Sequence, residues 1–236
     1  MANRIEVYDT GHLPYREAWQ LQRELQGRLV QEKLKRRKNP ALPAENADLL
    51  LYTEHSHVYT LGKSGNAAHL LRSMAELKKL EAEFVEIDRG GDITYHGPGQ
   101  IVGYPILDLG RYFTDIHRYL RSLEEVVIRT CADFGLKGER EEGLTGVWIG
   151  GKKVCALGIR CSRWVTMHGF ALNVNTDLTW FNHIVPCGIN DRSVATLSGL
   201  AGQKLDEEEV KKALTRHFGD VFEAEMVPVA GMPESD

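Results

Sequence analysis

The sequence predicts an α+β fold, a mixed and largely antiparallel sheet flanked by helices. Three observations point there. Strand-like runs crowd the middle of the chain, helical patterns flank them, and the two do not alternate as a doubly wound parallel sheet requires. With 236 residues, no internal repeat and no low-complexity linker, the chain reads as a single domain over 1–236 with a flexible tail at 223–236.

The elements follow in order. Ile5–Tyr8 reads as a short opening strand. A helix runs from Pro14, which fits a first-turn position, to about Arg36. Its stripe is Ala18, Leu21, Leu25, Leu29 and Leu34, and the basic run Lys33–Lys38 complements its C-terminal dipole. Asp48–Tyr52 reads as a buried strand. Ser73 and Glu76 form a capping box for a helix to about Glu83. Strands follow at Phe84–Asp88, Asp92–His96 and Gln100–Leu107, separated by glycine turns. Thr114 is a candidate cap for a helix carrying Tyr119, Leu120, Leu123, Val127 and Cys131 on one side, closed by Gly135. Gly146–Ile149 and Lys153–Ile159 make a hairpin about Gly150 and Gly151, and Val165–Val174 is a further strand. A last helix starts near Asp206, turns Val210, Ala213, Leu214 and His217 inward, and stops at Gly219.

Composition narrows the function. Hydrophobic residues are 42% and charged residues 26%, an ordinary globular balance. The formal net charge of −4, from 29 basic and 33 acidic residues, argues against nucleic acid as the main partner. No apolar run approaches the roughly 18 residues of a membrane span. The N-terminus resembles neither a signal nor a transit peptide, so a cytoplasmic location is expected.

Cys131, Cys155, Cys161 and Cys187 show no C-x-x-C spacing, which argues against a zinc site or dithiol motif. They are expected to be free thiols. Most free cysteines are small buried hydrophobes, and Cys155, Cys161 and Cys131 suit that description. Cys187 differs because Pro186 and Gly188 put it on a turn, where sulfur can face a cleft beside free backbone N–H groups. Lys153 differs from a solvated lysine in preceding the apolar run Val154–Gly158, which draws its stem inward. An ammonium near a thiol favours the thiolate, and a desolvated lysine can act as a base. His168 and His183 are rival partners for Cys187. His55 and His57 lack a carboxylate or thiol cluster to complete a metal site. Gly62-Lys63-Ser64 ends like a phosphate loop but has His57 where that motif needs glycine. No metal and no cofactor is expected.

Three stretches carry a resemblance. Arg89-Gly-Gly-Asp-Ile-Thr-Tyr-His96-Gly-Pro-Gly-Gln100, Lys153-Val-Cys-Ala-Leu-Gly158, and Gly169-Phe-Ala-Leu-Asn173 followed by Pro186-Cys187-Gly188 resemble the lipoyl(octanoyl) transferases, in that family's order, and the resemblance gives a family-like core at about 48–200. The resemblance implies a biotin/lipoate protein ligase-type fold. It also implies transfer of octanoyl from octanoyl-acyl carrier protein to a lysine of lipoyl domains, those of 2-oxoacid dehydrogenases and the glycine cleavage H protein. Carried over by position, Cys187 is the acyl-thioester nucleophile and Lys153 tunes its pKa or serves as base. Arg89, Gly90, Gly91, Asp92, Ile93, Thr94, Tyr95 and His96 contact substrate, as do Ala156, Leu157, Gly158, Gly169, Phe170 and Ala171. Cys155 stands where the family often has a small apolar residue. Ile93, Tyr95, Leu157 and Phe170 are expected to line the acyl groove, and Arg111, Arg118 or Arg121 to dock the acidic carrier. An ATP-dependent lipoate or biotin ligase would need no cysteine. An amidotransferase moving octanoyl between protein lysines would differ in donor, and a non-catalytic lipoyl-domain binder would show no turnover.

Overall fold

The computed structural model describes residues 3–43, 46–185 and 193–233. The chain order is β1 (Asn3–His12), α1 (Tyr15–Lys38), β2 (Asp48–Glu54), β3 (Val58–Leu61), α2 (Met74–Lys79), β4 (Glu83–Glu86), β5 (Ile93–His96), β6 (Gln100–Ile106) and α3 (Ile116–Asp133). It continues through β7 (Val147–Ile149), β8 (Lys152–Ser162), β9 (Val165–Asn173), α4 (Leu197–Ala201), α5 (Glu207–Phe222) and β10 (Ala224–Val229). One sheet has the order β10-β1-β2-β6-β9-β8-β7 and a smaller one β4-β3-β5. Pairing is parallel at β10–β1, β1–β2 and β3–β4 and antiparallel elsewhere. The expected mixed, largely antiparallel α+β arrangement is therefore the one observed.

Side-chain alternation explains the layering. In β2, Leu50 and Tyr52 join a core with Tyr119, Leu123 and Val127 of α3 and with Val210, Leu214 and Phe218 of α5. Leu49 and Leu51 point the other way and meet Ala18, Leu21, Leu25 and Leu29 of α1. A strand covered on both faces must be apolar throughout, and this is why 49–52 reads as a continuous hydrophobic run. The smaller sheet has its own core of Tyr59, Ile93, Tyr95, Leu77 and Ile184, with Trp180 and Phe181 packed on it.

Several boundaries differ from the expected ones. The Ser73–Glu76 capping box forms, but α2 ends at Lys79, not Glu83. Glu81 has φ +53° and breaks the helix so that β4 can begin. Asp115, not Thr114, caps α3, accepting from Arg118 N–H at 3.0 Å. α5 runs past Gly219 to Phe222. Gly219 is a packing glycine, because a Cβ there would stand 2.9 Å from Met226 Cγ. The stretch read as a tail contains β10, which adds an edge strand to β1 in parallel.

Candidate active site

The walls of a cavity of about 360 Å³ come from the loop before β5, the start of β8, β9, and the 144–148 segment. Such a volume suits a small apolar ligand. Each wall has a local cause. Gly90 N–H donates to Ile159 O at 3.0 Å and fastens the loop to β8. Arg89 closes it, Nη1 donating to Gly90 O and Nη2 to Asp92 O, both at 2.8 Å. Gly91 has φ +94°, a conformation that favours glycine. Asp92 acts as a structural acceptor, taking hydrogen bonds from Ile93 N–H at 2.7 Å and Asn66 N–H at 3.2 Å, and it meets His69 Nδ1 at 2.6 Å.

The floor is small by design of the register. Ala156 pairs with Ala171 and Gly158 with Gly169 across β8 and β9, which leaves room above the sheet. Ile93 and Leu157 supply apolar lining.

A buried polar chain borders the cavity. Gln100 Nε2 donates to Asn173 Oδ1 at 2.9 Å and to Tyr95 O at 3.2 Å, so its Oε1 accepts from His96 Nδ1–H at 2.8 Å. Asn173 Nδ2 in turn reaches Ala195 O at 3.3 Å. Burial pushes His96 down to about 3, so it is neutral and holds one tautomer. Gln100 and Asn173 line the cavity. Both end motifs quoted above, yet neither was assigned a role there.

Lys153 lies at the β8 end of this cavity. Its backbone is fixed twice: it pairs with Trp148 on β7, and on its other bonds it donates to Ser193 O at 3.0 Å and accepts from Ala195 N–H at 2.9 Å. Its Nζ lies 5.1 Å from the centre of the Trp148 ring, within cation–π range. The expected nucleophile, Cys187, lies outside the described residues. The chain on either side of 186–192 is described: Val185 N–H donates to His69 O at 2.8 Å, and Ser193 and Val194 line the cavity beside Lys153.

Other sequence-selected residues divide between this cavity and its surroundings. Thr94 and Ala171 line the cavity. His96, Gly169 and Phe170 instead border an adjacent void of about 30 Å³, which shares Arg89 and Leu157 with the cavity. The Phe170 ring is committed to Gly103, where a Cβ would stand 2.2 Å from its Cζ. Tyr95 borders neither space: it is buried in the small sheet's core, with its hydroxyl 2.8 Å from His57 Nδ1. Tyr95 and Phe170 are thus not lining of the larger cavity, contrary to expectation. The rival histidines are occupied. His168 Nε2 donates to Asp88 Oδ1 at 3.1 Å, and His183 Nδ1 lies 2.8 Å from Tyr59 Oη.

Among the other cysteines, Cys155 and Cys131 are fully buried. Burial raises both thiols, Cys131 to about 12, which suits inert core residues. Cys161, expected in the core, is only half-buried.

Residues 14–219 match the family model of the lipoyl protein ligase A/B catalytic domain. The chain belongs to this family. It is 53% identical over 234 residues to an octanoyltransferase of Flavobacterium johnsoniae, covering 96% of this chain and 100% of that protein. It is also 53% identical over 233 residues to an octanoyltransferase of Christiangramia forsetii, covering 96% and 99%. The fold is shared with lipoate-protein ligase A bound with ATP, at TM-score 0.70 and 16% identity over 98% of this chain and 90% of that one. A putative lipoate protein ligase of T. acidophilum with bound lipoic acid gives 0.69 and 16%, over 97% and 89%. The family member described here is thus an acyltransferase with a biotin/lipoate ligase-type fold.

Proposed function

We propose that this chain, as one catalytic domain, transfers an octanoyl group from octanoyl-acyl carrier protein to a lysine of a lipoyl domain in lipoate biosynthesis, through a thioester on Cys187. The observation that carries the reading is the placement of Lys153. It sits on a largely apolar cavity beside Ser193, six residues downstream of Cys187 in the chain.

The chemistry follows in two steps. The Cys187 thiolate attacks the octanoyl carbonyl carbon. A new C–S bond forms, the bond to the carrier's sulfur breaks, and that thiolate takes the proton Lys153 had received from Cys187. The acceptor lysine, with an ordinary pKa of about 10.4, must lose a proton to become a nucleophile. That first proton goes to solvent; the neutral amine attacks the Cys187 thioester, a C–N bond forms, Lys153 takes the second proton that the nitrogen then sheds, and Cys187 leaves as thiolate. Thioester to amide is downhill, so ATP is not required. The acceptors are lipoyl domains of 2-oxoacid dehydrogenases and the glycine cleavage H protein, and the reaction runs in the cytoplasm.

The test is a reconstituted reaction of enzyme, octanoyl-acyl carrier protein and an isolated lipoyl domain without nucleotide. Octanoylation of the lipoyl lysine, lost in Cys187→Ala and Lys153→Ala, is expected. Transfer that requires ATP, or that starts from free octanoate alone, would refute the scheme.

A further inference from the structure

Glu124 is fully buried on α3 and takes no part in the steps above. A buried carboxylate persists only when it is partnered, and this one has three partners. Its Oε2 accepts from Arg121 Nη1 at 2.7 Å and from Arg140 Nε at 3.1 Å. Its Oε1 accepts from the backbone N–H of Gly146 at 3.0 Å. Arg140 is tied in further, Nη2 donating to Arg121 O at 3.0 Å and to Glu125 Oε2 at 2.7 Å.

Gly146 is where this clamp meets the site. It has φ +146°, and a Cβ there would stand 2.6 Å from Lys153 Cε, 2.8 Å from Cys155 O and 3.0 Å from Trp148 Cη2. The lysine stem therefore passes directly over bare backbone that Glu124 holds. Two residues on, Trp148 sets its ring against Lys153 Nζ. Leu144, Thr145 and Trp148 all line the cavity, as does Leu120, one turn before Glu124. The strip 144–148 is thus both a wall of the cavity and one side of the lysine's channel.

We propose that Glu124, clamped by Arg121 and Arg140, is the positioning residue that holds the Gly146–Trp148 strip and through it the Lys153 amine. The proposal rests on the reading of Lys153 as proton carrier. Without the carboxylate, the Gly146 N–H loses its acceptor and two guanidiniums lose their counter-charge. The strip then relaxes and the amine leaves its working position. A displacement of about 1 Å costs on the order of 10²-fold in rate.

The test compares wild type, Glu124→Ala, Glu124→Gln and Lys153→Ala. It measures kcat and KM for octanoyl-acyl carrier protein, and the pH profile of Cys187 alkylation by iodoacetamide. Glu124→Ala is expected to lower kcat about 10²-fold with KM for the carrier unchanged, and to move the alkylation profile toward that of Lys153→Ala. Glu124→Gln still offers an oxygen to Gly146 and is expected to recover most of the rate. If Glu124→Ala fails to fold, Glu124→Asp, which withdraws the oxygen by one methylene, takes its place with the same expectation. A folded Glu124→Ala or Glu124→Asp with wild-type kcat and profile overturns the proposal, as does a kcat loss with an unshifted profile. Normal transfer by Lys153→Ala would instead remove the proton-carrier role itself.

Discussion

Gly158 and Arg89 occupy one space. A β-carbon on Gly158 would stand 2.6 Å from Arg89 Nη1, 2.7 Å from its Cδ and 2.9 Å from Gly90 O. The last of these is backbone, so a side chain cannot be absorbed by a rotamer change. Gly158→Ala is expected to push the 89–91 loop off β8 and open the cavity wall. The enzyme should stay folded, since the clash is confined to Arg89 and Gly90 of the loop, while kcat/KM falls at least 10-fold, on the order of the rate lost to small misplacements. Steady-state kinetics beside a thermal melt separates the two effects.

Acyl-chain choice should follow from the Ala156–Ala171 floor. Each buried methylene contributes about 0.8 kcal/mol, so octanoyl should beat hexanoyl by ~1.6 kcal/mol, about 15-fold in kcat/KM. Ala156→Leu fills the same space and is expected to erase or invert that preference. A profile of hexanoyl, octanoyl and decanoyl carriers with both enzymes reads this directly.

Stability should fall on mild acidification. His55 donates from Nδ1 to Leu13 O and accepts at Nε2 from the Tyr104 hydroxyl, both at 2.7 Å. Burial holds its pKa down at about 4, and that of His96 at about 3. The folded state resists protons that the unfolded chain takes up below about 6.5, so stability is intact above that pH and is lost as pH falls toward 4. His55 alone accounts for a difference of about 3 kcal/mol across that window. His55→Gln is expected to be less stable than wild type at pH 7 but to show a flatter dependence between pH 6.5 and 4. Urea titrations across that range check it.

The three arginines expected to greet an acidic carrier part company in the structure. Arg111 is engaged with Glu32 and Asp48 and donates to Asn46 O, so reversing it would cost fold. Arg118 stacks on Phe113 at 4.2 Å on the exposed start of α3, two residues before the cavity residue Leu120. Arg118→Glu should raise KM for the carrier about 10-fold at low salt with kcat unchanged, and the gap should narrow as salt rises. An unchanged KM would remove α3 as the docking face.

Much of the fold was legible because local signals and tertiary packing agree. The Ser73–Glu76 box, the helix start near Asp206 and the buried 48–52 strand each behave as read. The failures share a cause: long-range partners. Gly219 looks like a helix stop but packs on Met226. Ala224–Val229, short and carrying Pro228, reads as tail until β1 is there to pair with it, and Pro is tolerated because the strand is an edge. In the site, glycine-rich motifs marked the loop and floor well. Side-chain direction did not follow from the motif: Tyr95 faces the small sheet's core and Phe170 borders the adjacent void, not the larger cavity. Glu124 was hidden in a Glu-Glu pair that resembles a solvated face. Its spacing from Leu120, Val127 and Cys131 puts it on the inward stripe, and that was the available signal.

The most direct measurement is the intact mass of the enzyme after incubation with octanoyl-acyl carrier protein in the absence of ATP. The proposed route predicts a gain of ~126 Da in wild type, labile to hydroxylamine and missing in Cys187→Ala, as a cysteine thioester requires. An unmodified wild type that still turns over, or a Cys187→Ala enzyme modified to the same extent, would contradict it.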